Sequence, residues 1–136
     1  MSALRQALTI ERLTVAADRI SCEVAVASEY AVTTPLLASR VQRVFPNLSR
    51  HTCVNDEGDT FGAVIDHTSL PHLLEHLVID LQTQQVTEIQ AVFVGTTQWL
   101  DRMHTKARVE VNFTDDLVAL RAFRDSCEYL NREVIK

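Results

Sequence analysis

Ile20-Ser21-Cys22-Glu23-Val24-Ala25-Val26-Ala27 alternates strictly, with Ile20, Cys22, Val24 and Val26 on one side and Ser21, Glu23, Ala25 and Ala27 on the other. Period two is the signature of a strand with one face toward a core. Upstream, residues from about Ala7 to Val15 are rich in Leu, Thr, Ile and Val, and the short Ala17-Asp18-Arg19 segment predicts a hairpin between the two runs. Downstream, the pattern changes to helical spacing. Thr34 suits an N-cap and Pro35 the first helical position, followed by Leu36, Leu37, Val41, Val44 and Phe45, with Pro46 and Asn47 closing the helix.

Residues 49–62 read as a loop with Asn55, Asp56, Gly58 and Asp59 as turn formers, and they carry His51 and Cys53. Thr68 or Ser69 caps a second helix that tolerates Pro71 in its first turn. Leu70, Leu73, Leu74, Leu77, Val78 and Leu81 make that helix apolar around much of its circumference, so it should be largely buried. Ile89 to Val94 and Ala107 to Phe113 read as strands, the latter with Val109, Val111 and Phe113 facing one way. Thr114 or Asp115 then caps a last helix bearing Leu117, Leu120, Phe123, Cys127, Tyr129 and Leu130. The expected fold class is α+β: an antiparallel sheet of about four to five strands, with about three helices packed on one face.

The chain has 136 residues, 46% hydrophobic and 23% charged, which fits a single domain over residues 1–136 able to bury a core without disulfides or a structural metal. A net charge of −5 without a Lys/Arg cluster argues against nucleic acid; Arg40, Arg43 and Arg50 are loosely spaced. Trp99 and Phe61 are isolated aromatics that suit packing better than base stacking. Three cysteines at wide spacing, Cys22, Cys53 and Cys127, do not form a disulfide framework. Neither a signal-peptide pattern nor an apolar run of membrane length is present, so the expected setting is the cytoplasm, with reduced thiols and no membrane contact. There is no P-loop, no G-x-G-x-x-G and no G-x-S-x-G.

The chemistry concentrates on His72-Leu73-Leu74-Glu75-His76, an H-x-x-E-H pattern. Residues four apart lie on one helix face, so His72 and His76 can aim at one metal ion while Glu75 projects beside them as a general base. A catalytic metal site needs a third protein ligand and an open position. Cys53, His51, His67 and His104 are the candidates. Cys53 is favoured because a thiolate is a strong ligand, with His51 two residues away able to ligate instead or to orient a water. His67 fits the turn before the helix and His104 an exposed loop, while Cys22 and Cys127 fit buried thiols. Two His and a Cys suit Zn²⁺ and Fe²⁺ alike.

The run His51-Thr52-Cys53, followed by His72-x-x-Glu75-His76-x-x-x-x-Leu81-Gln82, resembles the N-terminal domain of cyanophycin synthetases. Val94-Gly95-Thr96-Thr97 matches that family's Gly-Arg-Thr-like turn after a strand, with Thr96 in place of the arginine, and the residues 107–134 match a closing strand-helix unit. The resemblance spans roughly residues 44 to 134. It implies a domain that helps hold a polymer of aspartate and arginine and that in some members carries a metal-dependent, peptidase-like site. By position, His72 and His76 would be ligands, Glu75 the base, and Cys53 or His51 the completion of the sphere. The ligase domains that follow in the family are absent from these residues, so this chain is not expected to build the polymer. The same helix pattern occurs in pitrilysin-type peptidases and in S-ribosylhomocysteinase.

Three functions compete. The first is a metal-dependent hydrolase acting on a peptide or amide substrate. The second is a non-catalytic module that binds a peptide or partner chain through a vestigial site. The third is a lyase of the S-ribosylhomocysteinase kind, which calls for a homodimer that completes the site.

Overall fold

The computed structural model describes residues 6–86 and 91–136. Strand β1 (Leu8–Val15) and strand β2 (Arg19–Val26) form the expected antiparallel hairpin. Helix α1 (Pro35–Val44) starts at Thr34, whose hydroxyl accepts from the Leu37 amide. The segment expected as a loop instead holds a small hairpin, β3 (Thr52–Asn55) and β4 (Gly58–Thr60). Asn55 makes it: its side-chain carbonyl accepts from the Glu57 amide, while its amide group donates to the carbonyls of Cys53 and Thr60. Helix α2 (Leu70–Gln85), strand β5 (Gly95–Trp99), strand β6 (Lys106–Asn112) and helix α3 (Asp116–Glu133) complete the chain.

The structure departs from the sequence pattern elsewhere as well. The strand placed at Ile89 to Val94 lies partly outside the described residues, and 91–94 has no regular structure. The strand is Gly95–Trp99, the stretch the family resemblance casts as a turn. Asn112 explains the offset. Its side chain binds the Val92 carbonyl and the Val94 amide, so these residues lead in along the end of β6, and ladder pairing begins at Gly95 opposite Val111. Phe113 lies just past the end of β6 and is half-buried, while Leu36 and Val44 of α1 face solvent.

The main sheet is antiparallel in the order β1-β2-β6-β5, so β1 and β5 are its edges. Ile20, Cys22, Val24 and Val26 of β2 and Ala107, Val109 and Val111 of β6 bury one face under α2 and α3. The other face is partly covered by charge pairs such as Arg108 with Glu23 (3.9 Å). Helix α1 packs against α3, where Arg40 donates to the Glu133 carbonyl and Phe45 meets Tyr129 edge-on. Helix α2 is buried on nearly every side, as its composition predicts. Gln82, fully buried, donates to the Asn112 carbonyl and ties the helix to β6. No helix among the described residues is long and apolar enough to cross a membrane.

Candidate metal centre

The first turn of α2 is built to hold its histidines. Ser69 caps the helix by accepting from the His72 amide (3.2 Å). Thr68 sits one turn before His72, with its hydroxyl 2.9 Å from His72 Nδ1. That contact occupies Nδ1 and leaves Nε2 facing Cys53 Sγ at 3.5 Å. Phe61, fully buried, stacks on the His76 ring (4.0 Å between centroids, 18°) and meets the His72 ring edge-on (4.9 Å, 75°). The aromatic expected only to pack therefore packs on the two imidazoles and fixes their planes.

Behind His76 stands a chain of three side chains. Asp80 Oδ1 is 3.2 Å from His51 Nε2, and His51 Nδ1 is 3.1 Å from His76 Nδ1. Asp80 can only accept when ionised, so His51 donates from Nε2 and its Nδ1 is left to accept from His76 Nδ1–H. Gln84 donates to the other Asp80 oxygen. The tautomer this sets puts the lone pair of His76 on Nε2, a buried atom without a hydrogen-bond partner. An unpartnered polar atom in a buried site costs free energy unless something unseen binds it.

Cys53, His72 and His76 each offer one ligand atom, all within 4.8 Å of one another, and this group can hold a metal ion. It brings together Cys53 from β3 and the two histidines from α2. His51 stands outside the trio, both ring nitrogens engaged by other side chains. His67 lies on the exposed turn, paired with Asp66 and Glu57. His104 is exposed on the loop before β6 and stacks on Trp99. Cys22 and Cys127 are buried thiols, the first pushed up to about 12 by burial.

Glu75 is 6% exposed, and its Oε2 lies 3.8 Å from His76 Nε2. Its Oε1 accepts from the Thr97 hydroxyl of β5 at 2.7 Å. Burial raises the Glu75 pKa above the ordinary carboxylate value, opposed by the Thr97 hydrogen bond and the nearby His51. Burial lowers the pKa of both helix histidines, and that of His76 is pushed down to about 3, with His72 and His51 adding repulsion. Both imidazoles are thus held neutral, the form a metal ligand requires. Gly95 makes room for the carboxylate: a Cβ there would sit 2.8 Å from Glu75 Cγ and 2.9 Å from the Glu110 carbonyl.

Asp80, Thr68, Thr97 and Gly95 were not singled out as site residues from the sequence. Asp80 had a signal, since it stands four residues after His76 on an otherwise apolar helix. Gly95 and Thr97 stood out only within the family's turn, and their place beside Glu75 depends on how β5 registers against β6.

A groove of about 1060 Å³ opens over these side chains. Its floor is α2, one wall is β3 with the residues before it, and the other is β5 with its lead-in. The arrangement is an N/N/S donor set, its sulfur and His72 half-buried and His76 buried, with neutral imidazoles, a carboxylate at its side and space above it.

No protein of curated sequence and no solved structure matches this chain. Residues 19–134 do match a family, described as the cyanophycin synthase-like N-terminal domain. The match runs from the start of β2 to the end of α3 and contains every residue of the centre, and the chain belongs to that family.

Proposed function

We propose that this domain is a metal-dependent hydrolase acting on a peptide or amide bond, with His72, His76 and Cys53 as ligands and Glu75 as general base. The observation that carries the reading is the group of Cys53, His72 and His76, whose ligand atoms lie within 4.8 Å of one another, with His76 Nε2 buried and unpartnered beside a carboxylate held by Thr97. The donor chemistry suits Zn²⁺ or Fe²⁺. When bound, such an ion would supply Lewis-acid chemistry, polarising a carbonyl and making an attacking water easier to deprotonate.

The chain's own residues do the rest. Glu75 takes a proton from the water at one carboxylate oxygen while Thr97 holds the other, and its raised pKa suits it to pass that proton on to the leaving amine. Thr68 and the Asp80–His51 pair orient the two imidazoles from behind, the supporting role that carboxylates and hydroxyls play around metal-bound histidines. In this reading His51 is a positioning residue and not a ligand.

The test is elemental analysis of untagged protein beside the His72→Ala/His76→Ala double variant, followed by turnover of Glu75→Gln. About one zinc or iron per chain, lost in the double variant, is the expected result. Turnover that survives Glu75→Gln with metal retained would exclude Glu75 as the base. Wild-type protein free of metal after reconstitution under reducing conditions would leave a binding module.

A further inference from the structure

The two edges of the main sheet are finished differently. In β1 the register shifts between Ile10 and Arg12, so Glu11 is an extra residue that kinks the strand, and two charged side chains stand at the kink. Its outward main chain at Leu8 is also taken. Asn131 of α3 accepts from the Leu8 amide and donates to the Leu8 carbonyl, both at 2.9 Å. Bulges, charges and covering groups are the usual ways an edge is closed to another strand.

Among the described residues, strand β5 has none of these. Gly95-Thr96-Thr97-Gln98-Trp99 has no charge and no proline, and it pairs with β6 in unbroken register. The parity of that pairing follows from its ends. The Asn112 amide donates to the Val94 carbonyl and the Leu100 amide to the Lys106 carbonyl, so Thr96 and Gln98 turn their main chain toward β6. Gly95, Thr97 and Trp99 therefore turn theirs outward, and among the described residues no strand pairs with them. This open edge is the wall of the groove that faces the metal centre. Thr97 is at once an outward main-chain position and the residue whose hydroxyl holds Glu75.

The groove also says what it prefers. Val54, Val92 and Val94 line it at 87%, 71% and 62% exposure. Arg50 is the one exposed charged side chain among its described lining residues, while Glu75 and Asp80 are buried and already engaged.

We infer that the open edge of β5 takes an extended peptide with apolar side chains as an added strand, laying its main chain across the metal centre with the amide to be cut next to Thr97. Gly95, Thr97 and Trp99 exchange hydrogen bonds with the added strand, and the exposed valines receive its side chains. The substrate class is then an uncharged stretch of polypeptide, not a chain of alternating acidic and basic side chains. The inference rests on the proposed hydrolase site for its purpose, but its geometry can be tested without turnover.

The probe is the blocked neutral hexapeptide acetyl-Ala-Val-Ala-Ala-Val-Ala-amide, added to the full ¹⁵N-labelled chain carrying Glu75→Gln so that nothing is cut. Amide hydrogen exchange at Gly95, Thr97 and Trp99 is expected to slow by about tenfold or more at saturation, with no change at Thr96 and Gln98, which β6 already protects. A version N-methylated at alternate amides is expected to bind about tenfold or more weakly, and a version with Asp and Arg in place of the valines likewise. Binding without the alternating protection overturns the inference, as does equal binding of the N-methylated or the charged peptide, or no binding up to the peptide's solubility. Protection of the same three amides in free protein that grows with its concentration would give the edge to a second copy of this chain and also overturn it. Metal and turnover present without the protection would fell only this inference. The protection present in a protein that holds no metal would fell only the hydrolase reading.

Discussion

Helices α2 and α3 lie side by side over the same face of one sheet, and they are built on opposite plans. Helix α3 is capped by Asp115, buries Ala119, Ala122, Phe123, Cys127 and Leu130 on one side, and turns Arg121, Arg124, Asp125 and Glu128 to solvent. Helix α2 is buried on nearly all sides and yet encloses Glu75, His76, Asp80 and Gln82. Burying such groups costs free energy unless each is partnered. Asp80, Gln82 and Glu75 are partnered by His51, Asn112 and Thr97, and the remainder is left at His76 Nε2. One helix is placed by what it gains from burial; the other is held by polar partners around a His/Cys/His group that could hold a metal ion.

The largest expected effects separate the two helices outright. Phe123→Ala removes a fully buried ring from α3 and should lower unfolding free energy by about 3–5 kcal/mol in denaturant titration, leaving metal content per folded molecule unchanged. Glu75→Gln should do the reverse, lowering turnover by ~10²–10⁴-fold while stability holds or rises, since a buried carboxylate has been replaced by a neutral amide. If Phe123→Ala also empties the metal site, the division of labour between the helices is wrong.

Acid should attack α2 first. In metal-free protein His76 protonates in the unfolded chain near 6.5 but in the fold only near 3. Between those values the unfolded state binds more protons, so stability is present above 6.5 and is lost as pH falls through the window. His72, also held down by burial, adds to the loss. Glu75 acts in the opposite sense, because its raised pKa lets the fold take up a proton more readily as pH drops. The balance should be a loss on the order of a few kcal/mol between neutrality and pH ~4. His76→Leu should flatten the slope measured by denaturant titration at several pH values. A slope unchanged in that variant would place the acid sensitivity elsewhere.

Gly95→Ala probes the seam between α2 and the sheet. The new Cβ meets Glu75 Cγ and the Glu110 carbonyl, and the backbone side of that contact cannot yield. A cost of about 1–3 kcal/mol is expected, together with lost turnover, because the carboxylate is what must move. Full activity in this variant would mean that Glu75 works from another position.

How much of this was legible in the sequence divides along the same line. The alternation in β2 and the helical spacing in α1 and α3 report on burial, which is local in pattern, and they placed those elements to within a few residues. The H-x-x-E-H spacing is local too, so it singles out His72, Glu75 and His76, and the structure brings the two histidines together. Cys53 stands out through its chemistry, a free thiol in a polar loop, and the structure brings its sulfur within reach of the two histidines. What failed was non-local. The apolar run 91–94 outweighs Gly95-Thr96-Thr97-Gln98-Trp99 as a strand by composition, yet the ladder starts at Gly95 because Asn112 occupies the residues before it. The β3–β4 hairpin is too short and polar to show period two, although Asn55 and Gly58 correctly marked its turn. No pattern along one chain segment announces that a threonine on β5 will hold a carboxylate on α2.

That threonine gives the finest test of the difference between the helices. Thr97→Val keeps the shape of the side chain and removes the hydroxyl that donates to Glu75 Oε1. The hydrogen bond lowers the Glu75 pKa against the upward push of burial, so its loss should carry the pKa further up. A general base must be ionised to act, and the acidic limb of the kcat/KM profile should therefore move to higher pH. Thr97→Ser should restore it. Stability should fall by only about 1 kcal/mol, the net worth of one hydrogen bond, and metal content should not change, because Thr97 touches none of the three proposed ligands. A purely structural role for Thr97 would lower the amount of folded protein without moving the limb. A shift in the limb at constant metal content would instead assign to β5 the tuning of a group that α2 carries.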